Sequence, residues 1–548
     1  MNQNRFPKKT TLEVQTDAVR FEEKNKFFSR ITEILMTVYV LFILCVFPAA
    51  IHDMYFDILM FRYNLFWKIT FAYLIIFALL GIYYLTINRK YIREKLRDPK
   101  IIVKKLWESI SSTDKVFFLL IIEMGISTIF APYVYEAFWG NRGRHQGFFL
   151  WIFFYIEYIL TTKFYKPKNW HIYLILLSSL FPCIWGIMNF FMLNPFGFLT
   201  NVPVGDTYIF ASTVGNINTY SNYTGMVLAV SVASFILTDD KKLTTVSGTV
   251  MIVDSFAHIM SVSDNNILSA IAIFSMLPFI AWKNDKKFIK YLFSVLIFLI
   301  ALLFTCFFYQ ICDETMNREG ESTLIELGQT NIVQAVTFIL AILILAILLI
   351  KSKKTKHDNT DLLDTKRYAV LRRIWTGLLI IAFGFIVIIL VLTNVGVQLP
   401  FFGKFNRILV LNDDWGTGRG LSWRLGLQYY CTDSTIMQKL FGNGPDTYFI
   451  IMMDRFRPIM NAAGYGMFDS AHNEYMEYLT TIGIVGLLLY IGLLAKSIQS
   501  GSKKTNILCL ASTIAVFAYA IQASVNIAIP ITSPIFMMYL AICSLKNS

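Results

Sequence analysis

The sequence predicts an all-α, polytopic integral membrane protein with about fourteen transmembrane helices, twelve being the lower bound, at about 20 apolar residues per crossing. Three observations carry that expectation. Hydrophobic residues make up 56% of the 548-residue chain, charged residues only 16%, and mean hydropathy is +0.55. A soluble domain could not cover its surface with so little charge. Apolar runs of spanning length recur throughout, and Lys and Arg gather in alternate short loops between them. That distribution also accounts for the net charge of +13 without a nucleic-acid partner.

The candidate spans lie near 31–51, 64–86, 115–135, 147–162, 171–192, 220–238, 244–262, 265–282, 289–309, 331–350, 374–394, 474–495, 506–525 and 530–545. The polar stretch 1–30 lacks the apolar core of a signal peptide and reads as a cytoplasmic tail. With the N-terminus inside, the cytoplasmic loops hold the cluster from Arg89 to Lys105, then Lys163, Lys166 and Lys168, then Lys241 and Lys242, then Lys283, Lys286 and Lys287. The longest runs from Lys351 to Arg373, and Lys503 and Lys504 close the series. The alternate loops are neutral or acidic, as at Asp313, Glu314 and Glu319, which places both termini in the cytoplasm. No internal repeat is visible, which removes support for a transporter of inverted halves.

Two outside segments break the charge rule. One is Gly140–Gly147, with Arg142 and Arg144. The other is the large loop 395–472 before the third-last helix, with Lys404, Arg407, Arg419, Arg424, Lys439, Arg455 and Arg457. Positive charge exported against the orientation bias asks for an anionic partner. A loop so long is expected to fold into short helices on the membrane surface and to carry function.

Of six histidines only His472 combines an outside location, a loop–helix junction and polar neighbours, in Ala471-His472-Asn473-Glu474-Tyr475. An imidazole there can accept a proton from a hydroxyl, or simply hydrogen-bond its own turn. Arg419 and Trp423 stand four apart and share a face if that stretch is helical. The guanidinium suits phosphate oxygens, although an ordinary surface pair has the same spacing. Arg142 and Arg144 are phosphate ligands or snorkelling anchors. Asn216 and Asn218, beside Gly215, suit sugar hydroxyls or a helix cap. Asp254 and Asp264 are acids within or at the end of a span, Asp264 also being placed to cap the next helix. Most of the seven cysteines sit in apolar runs; Cys312 and Cys431 are the two in outside loops that could pair. No metal-ligand cluster or nucleotide loop stands out, so neither metal nor cofactor is expected.

At these residues the chain resembles the bacterial O-antigen ligase and O-antigen polymerase family. The resemblance rests on His472-Asn473 followed by the Gly483…Gly486 step, on Gly418, Arg419 and Trp423, and on the Gly442–Gly444 turn. Arg142 to Gly147, Gly215 to Asn218, and Gln522 with Asn526 add to it. It covers most of the chain from about residue 140 onward. One departure is Ser263-Asp264-Asn265-Asn266, where many members carry Ser-Arg-Gly.

The resemblance implies metal-independent, inverting glycosyl transfer on the outer face of a bacterial plasma membrane. An undecaprenyl-diphosphate-linked glycan would be the donor and a hydroxyl on a glycan or other molecule the acceptor. Membrane lipids and a chain-length regulator would be the further partners. His472 would be the general base. Arg419, with Arg142, Arg144 or Arg424, would hold the diphosphate. Asn473, Glu474, Asn216, Asn218 and Trp423 would orient sugars or the histidine. The organisation expected is a tail at 1–30, eleven helices over 31–394, an extracytoplasmic catalytic loop at 395–472, and three helices over 473–548. Polymerisation of a surface polysaccharide is the leading expectation. Ligase-type transfer to a lipid, wall polymer or protein is the alternative, and a lipid-linked oligosaccharide flippase is the rival from another class.

Overall fold

A computed structural model describes residues 11–89, 108, 110–141, 143–311, 322–355, 363–400, 403 and 406–546. Helices dominate. The strands among the described residues are one short antiparallel pair, β1 (Phe210–Ala211) and β2 (Gly215–Asn216), with Phe210 opposite Asn216.

A helix lies over each of the fourteen predicted spans. In order these are α1 (Thr11–Leu41), α2 (Ile58–Ile87), α3 (Ser112–Ile129), with the short α4 (Val134–Trp139) after it, α5 (Phe148–Phe164), α6 (Asn169–Phe190), α7 (Ile217–Leu237) and α8 (Lys241–Ile259). Then come α9 (Asn265–Ala281), α10 (Asp285–Ile311), the short α11 (Thr323–Gly328), α12 (Asn331–Thr355) and α13 (Thr365–Asn394). After the large loop follow α18 (Glu474–Thr481), α19 (Gly483–Gly501), α20 (Ile507–Gln522) and α21 (Ser533–Cys543). Among the described residues nine helical stretches are long and apolar enough to cross a membrane. α9 and α21 are apolar but shorter, and α3, α5 and α8 each bury an acid, Glu123, Glu157 and Asp254. α12 and α13 turn bare apolar side chains outward, among them Phe338, Ile339, Ile381 and Phe383. Water does not tolerate such a continuous apolar face, and lipid does. The protein is a multi-pass membrane protein.

The centre of the bundle is α7, buried along almost its whole length and packed by α8, α9 and α20. Its Ser, Thr, Ala and Gly residues let neighbouring backbones approach, which substitutes for the missing hydrophobic drive between helices in lipid. Near the start of α2, Arg62 is fully buried. It donates to the carbonyls of Pro48 at 2.7 Å, Thr213 at 2.6 Å and Ala50 at 3.3 Å, and so ties the end of α1 to the β1–β2 turn.

One predicted element differs. The span expected at 474–495 is not continuous: α18 stops at Thr481 and α19 starts at Gly483. Gly483 has φ +67°, a conformation open to glycine and costly for other residues, and it ends the first helix sharply. His472 therefore precedes a two-turn helix rather than a full membrane span.

Candidate active site

The large loop folds on itself. α14 (Asn406–Leu409), α15 (Trp415–Gln428), α16 (Ile436–Phe441) and α17 (Tyr448–Ala462) lie over the bundle. Leu421, Leu425, Tyr448, Met452 and Phe456 form a small core of their own. Three successive left-handed residues, Gly416, Thr417 and Gly418, kink the start of α15, so its regular turns begin at Arg419. Arg419 and Trp423 then share one face, as the spacing predicts.

The Gly442–Asp446 turn joins this platform to the membrane helices. Asn443 donates its backbone N–H to the Thr481 carbonyl at 2.7 Å and its side-chain amide to that of Thr480 at 3.0 Å, closing over the α18–α19 break. Gly442 has φ +78°, and a Cβ there would overlap the Thr481 carbonyl oxygen. The next acid reaches the other basic segment. Asp446 Oδ2 accepts from the backbone N–H of Asn141 at 2.7 Å and of Gln146 at 2.9 Å. Burial pushes its carboxyl up to about 7 against the pull of those two bonds and of Arg144. Arg144 in turn donates to Asp469 Oδ2 at 2.6 Å. The two segments that broke the charge rule are thus one site.

His472 lies at its centre with φ +49°, a left-handed conformation that a non-glycine residue keeps only when its surroundings hold it. Those surroundings are visible. Trp423 Nε1 donates to the Ala471 carbonyl at 2.8 Å, Glu477 accepts from the Ala471 N–H at 2.7 Å, and Ser470 Oγ accepts from the His472 N–H at 3.3 Å. The imidazole is 31% exposed, its Nε2 stands 3.9 Å from Asp469 Oδ1, and its Nδ1 is buried without a partner among the described residues. Burial, then the charges of Arg419 and Arg144, push its pKa down to about 4, with Asp469 opposing. The ring is neutral at pH 7 and carries a free lone pair. Burial also lowers Arg419, while the nearby Asp264 holds it up.

The other expected residues divide. Arg142 lies outside the described residues. Arg424 is half-exposed and forks onto Asp413, at 2.8 Å to each oxygen, so it braces the loop. Trp423 has its indole N–H on Ala471 and its ring 5.0 Å from that of Trp415. Asn216 caps α7 through the Asn218 N–H at 2.9 Å, and Asn473 caps α18 through Tyr475 and Met476. Asn218 accepts from Ser263 at 2.8 Å and Asn265 at 3.3 Å, and its carbonyl takes a bond from Asn526 at 3.0 Å. Glu474 is buried and held by Tyr490 at 2.9 Å and Tyr519 at 2.5 Å. Asp264 does not bond to its own helix; it accepts from the Thr323 N–H at 2.8 Å and hydroxyl at 2.7 Å. Cys431 is exposed, and Cys312 lies outside the described residues.

A family model described as O-antigen ligase matches residues 327–491. Over that segment, under a third of its length, the chain is similar to the O-antigen ligase family. No curated protein matches the chain at a significant level. The matched segment holds Arg419 and His472, whereas Arg144 comes from the earlier part of the chain that packs against it. Sequence reasoning missed Asp446, Asp469, Gln146 and Glu477. The only signals were proximity to motifs already singled out: Asp446 ends the glycine turn, and Asp469 precedes His472 by three residues.

Proposed function

We propose that this protein transfers a glycan from undecaprenyl diphosphate to an acceptor hydroxyl on the extracytoplasmic face of a bacterial plasma membrane, most simply as a surface-polysaccharide polymerase. The observation that carries the reading is the meeting of a neutral, backbone-braced His472 with Arg419 and Arg144 from two separate exported segments. His472 takes the acceptor proton as the hydroxyl oxygen attacks the anomeric carbon. The bond from that carbon to the diphosphate oxygen breaks on the opposite face, with inversion. Arg419 and Arg144 bear the charge that develops on the leaving diphosphate, at about 3 kcal/mol per well-placed donor. A bound diphosphate also offsets the two arginine charges and so raises the basicity of His472 when it is needed. Arg424, paired with Asp413, braces the loop, and Asn473, Glu474, Asn216, Asn218 and Trp423 hold the site's geometry.

An aromatic groove supports a donor with a hydrocarbon tail. A groove of about 640 Å³ between α2 and α5 is walled by Trp67, Phe71, Phe149 and Phe153, and it ends at Gly140 and His145 of the arginine loop. Transfer to a lipid, wall polymer or protein is the second reading, favoured by the family's description as a ligase. Replacing His472 with Ala or Gln is expected to abolish long glycan while lipid-linked repeat units accumulate outside. Normal-length glycan from the variant would falsify the catalytic role, and repeat units confined to the cytoplasmic leaflet would indicate a flippase.

A further inference from the structure

A narrow cleft is lined by Arg144, Gln146, Trp151, Glu474, Tyr478 and Asn526 among others, and it is reached by Ser470 and Asn473 from either side of His472 in sequence. Most polar groups on its wall are already engaged. Asp446 takes two backbone N–H groups, Glu474 takes two tyrosine hydroxyls, Glu477 takes the Ala471 N–H, and Asn473 caps its helix. Asn526 donates to the Asn218 carbonyl and accepts from the Ile527 N–H at 2.9 Å.

Two groups are different. Gln146 is 8% exposed; its Nε2 donates to Ser533 Oγ at 3.3 Å, but its Oε1 is buried with no partner among the described residues. The Nε–H of Arg144, whose Nη2 is on Asp469, is buried and likewise unpartnered. A buried donor or acceptor left unpaired is costly, so an unpaired acceptor and an unpaired donor on two residues that line one cleft are set for a ligand that offers both. A hydroxyl does so. The free space is about 30 Å³, room for a hydroxyl or hydroxymethyl arm and too small for a sugar ring. Trp151 and Tyr478 supply the apolar faces against which the carbon side of such an arm rests.

The geometry points to a sugar-hydroxyl subsite, distinct from the diphosphate clamp, in which Gln146 Oε1 accepts from one exocyclic hydroxyl of the glycan and Arg144 Nε donates to it. The assignment rests on the glycosyl-transfer reading above and adds the group that reads the sugar. Arg144 then serves two parts of one substrate, its terminal nitrogens facing charge and its Nε facing the carbohydrate.

The test uses the full chain in lipid nanodiscs and measures the Kd of three probes. These are the lipid-linked glycan extracted from cells expressing H472A, bare undecaprenyl diphosphate, and the glycan freed of its diphosphate by mild acid. Gln146→Met keeps the length of the side chain and removes its polar end, whereas Gln146→Glu keeps an acceptor oxygen. Q146M is expected to weaken the lipid-linked glycan by about tenfold, the cost of one unmade hydrogen bond, and to leave bare undecaprenyl diphosphate unchanged. Q146E is expected to restore most of the loss. If Q146M weakens both lipids equally, Gln146 only supports the arginine loop and the subsite is overturned; no change in either overturns it as well. Transfer assays, with the extracted lipid as donor and then the freed glycan as acceptor, show whose hydroxyl is read. Absence of transfer by the unsubstituted protein would count against the glycosyl-transfer reading, independently of the binding result.

Discussion

At the scale of single residues, the position of His472 in its titration decides the behaviour of the site. Its ring is pushed down to about 4 from an ordinary value near 6.5, so the imidazole is neutral through the physiological range. The acid limb of kcat/KM for the free protein is therefore expected near pH 4 rather than near 6.5, and the residual rate of H472Q should lack that limb. The stability consequence has a definite sign. Below 6.5 the unfolded chain binds a proton that the folded chain refuses, so stability falls as pH drops toward 4 and is level above 6.5. H472Q should show a shallower loss of Tm between pH 6.5 and 4, and an equal loss would contradict the depressed histidine. The identity of this residue was legible because polar loop chemistry beside an apolar run is rare. Its partners were not legible: Arg144 and Asp469 are 325 residues apart in sequence, and nothing local in either announces the other.

At the scale of elements, hydropathy placed the helices well because burial in lipid depends on composition over about 20 residues. It did not show the break in the stretch 474–495. A single glycine with positive φ costs hydropathy nothing, yet it redirects the chain. Gly442 and Gly483 form one such joint, each so close to the other's strand of backbone that a Cβ would overlap a carbonyl oxygen. Gly442→Ala should therefore lower Tm and activity together, with about 1–3 kcal/mol from the positive-φ extended backbone alone and more from the overlap. Gly377→Ala, in the middle of α13 where a Cβ meets nothing within 4 Å, should be neutral or slightly stabilising. Equal effects at the two positions would mean that the joint is not strained as described.

At the scale of the whole molecule, the site exists only because two distant segments are tied together, and Asp446 is the knot. One carboxylate oxygen takes the backbone N–H groups of both Asn141 and Gln146. Asp446→Ala leaves two buried donors unpaired, at about 1–3 kcal/mol each. We expect a lower Tm in thermal unfolding and a loss of transfer exceeding what the remaining folded fraction explains, because Arg144 is no longer held beside His472. Full activity per folded molecule would show that the arginine loop is positioned by other contacts.

The sequence by itself determined that this is a helical membrane protein, where its helices lie, that two basic segments break the alternation of charge, and that His472 is the histidine to watch. Those properties are local, being sums or patterns over short windows. Only the tertiary structure decided that the two basic segments form one site, that Arg424, Asn216 and Asn473 already have partners within the fold, and that Asp446, Asp469 and Gln146 belong beside the histidine. Arg424, Asn216 and Asn473 find those partners close by in sequence, but the joining of the two segments depends on hydrogen bonds between residues some 300 positions apart, formed when the loop packs onto the bundle, and no short window of sequence contains both partners.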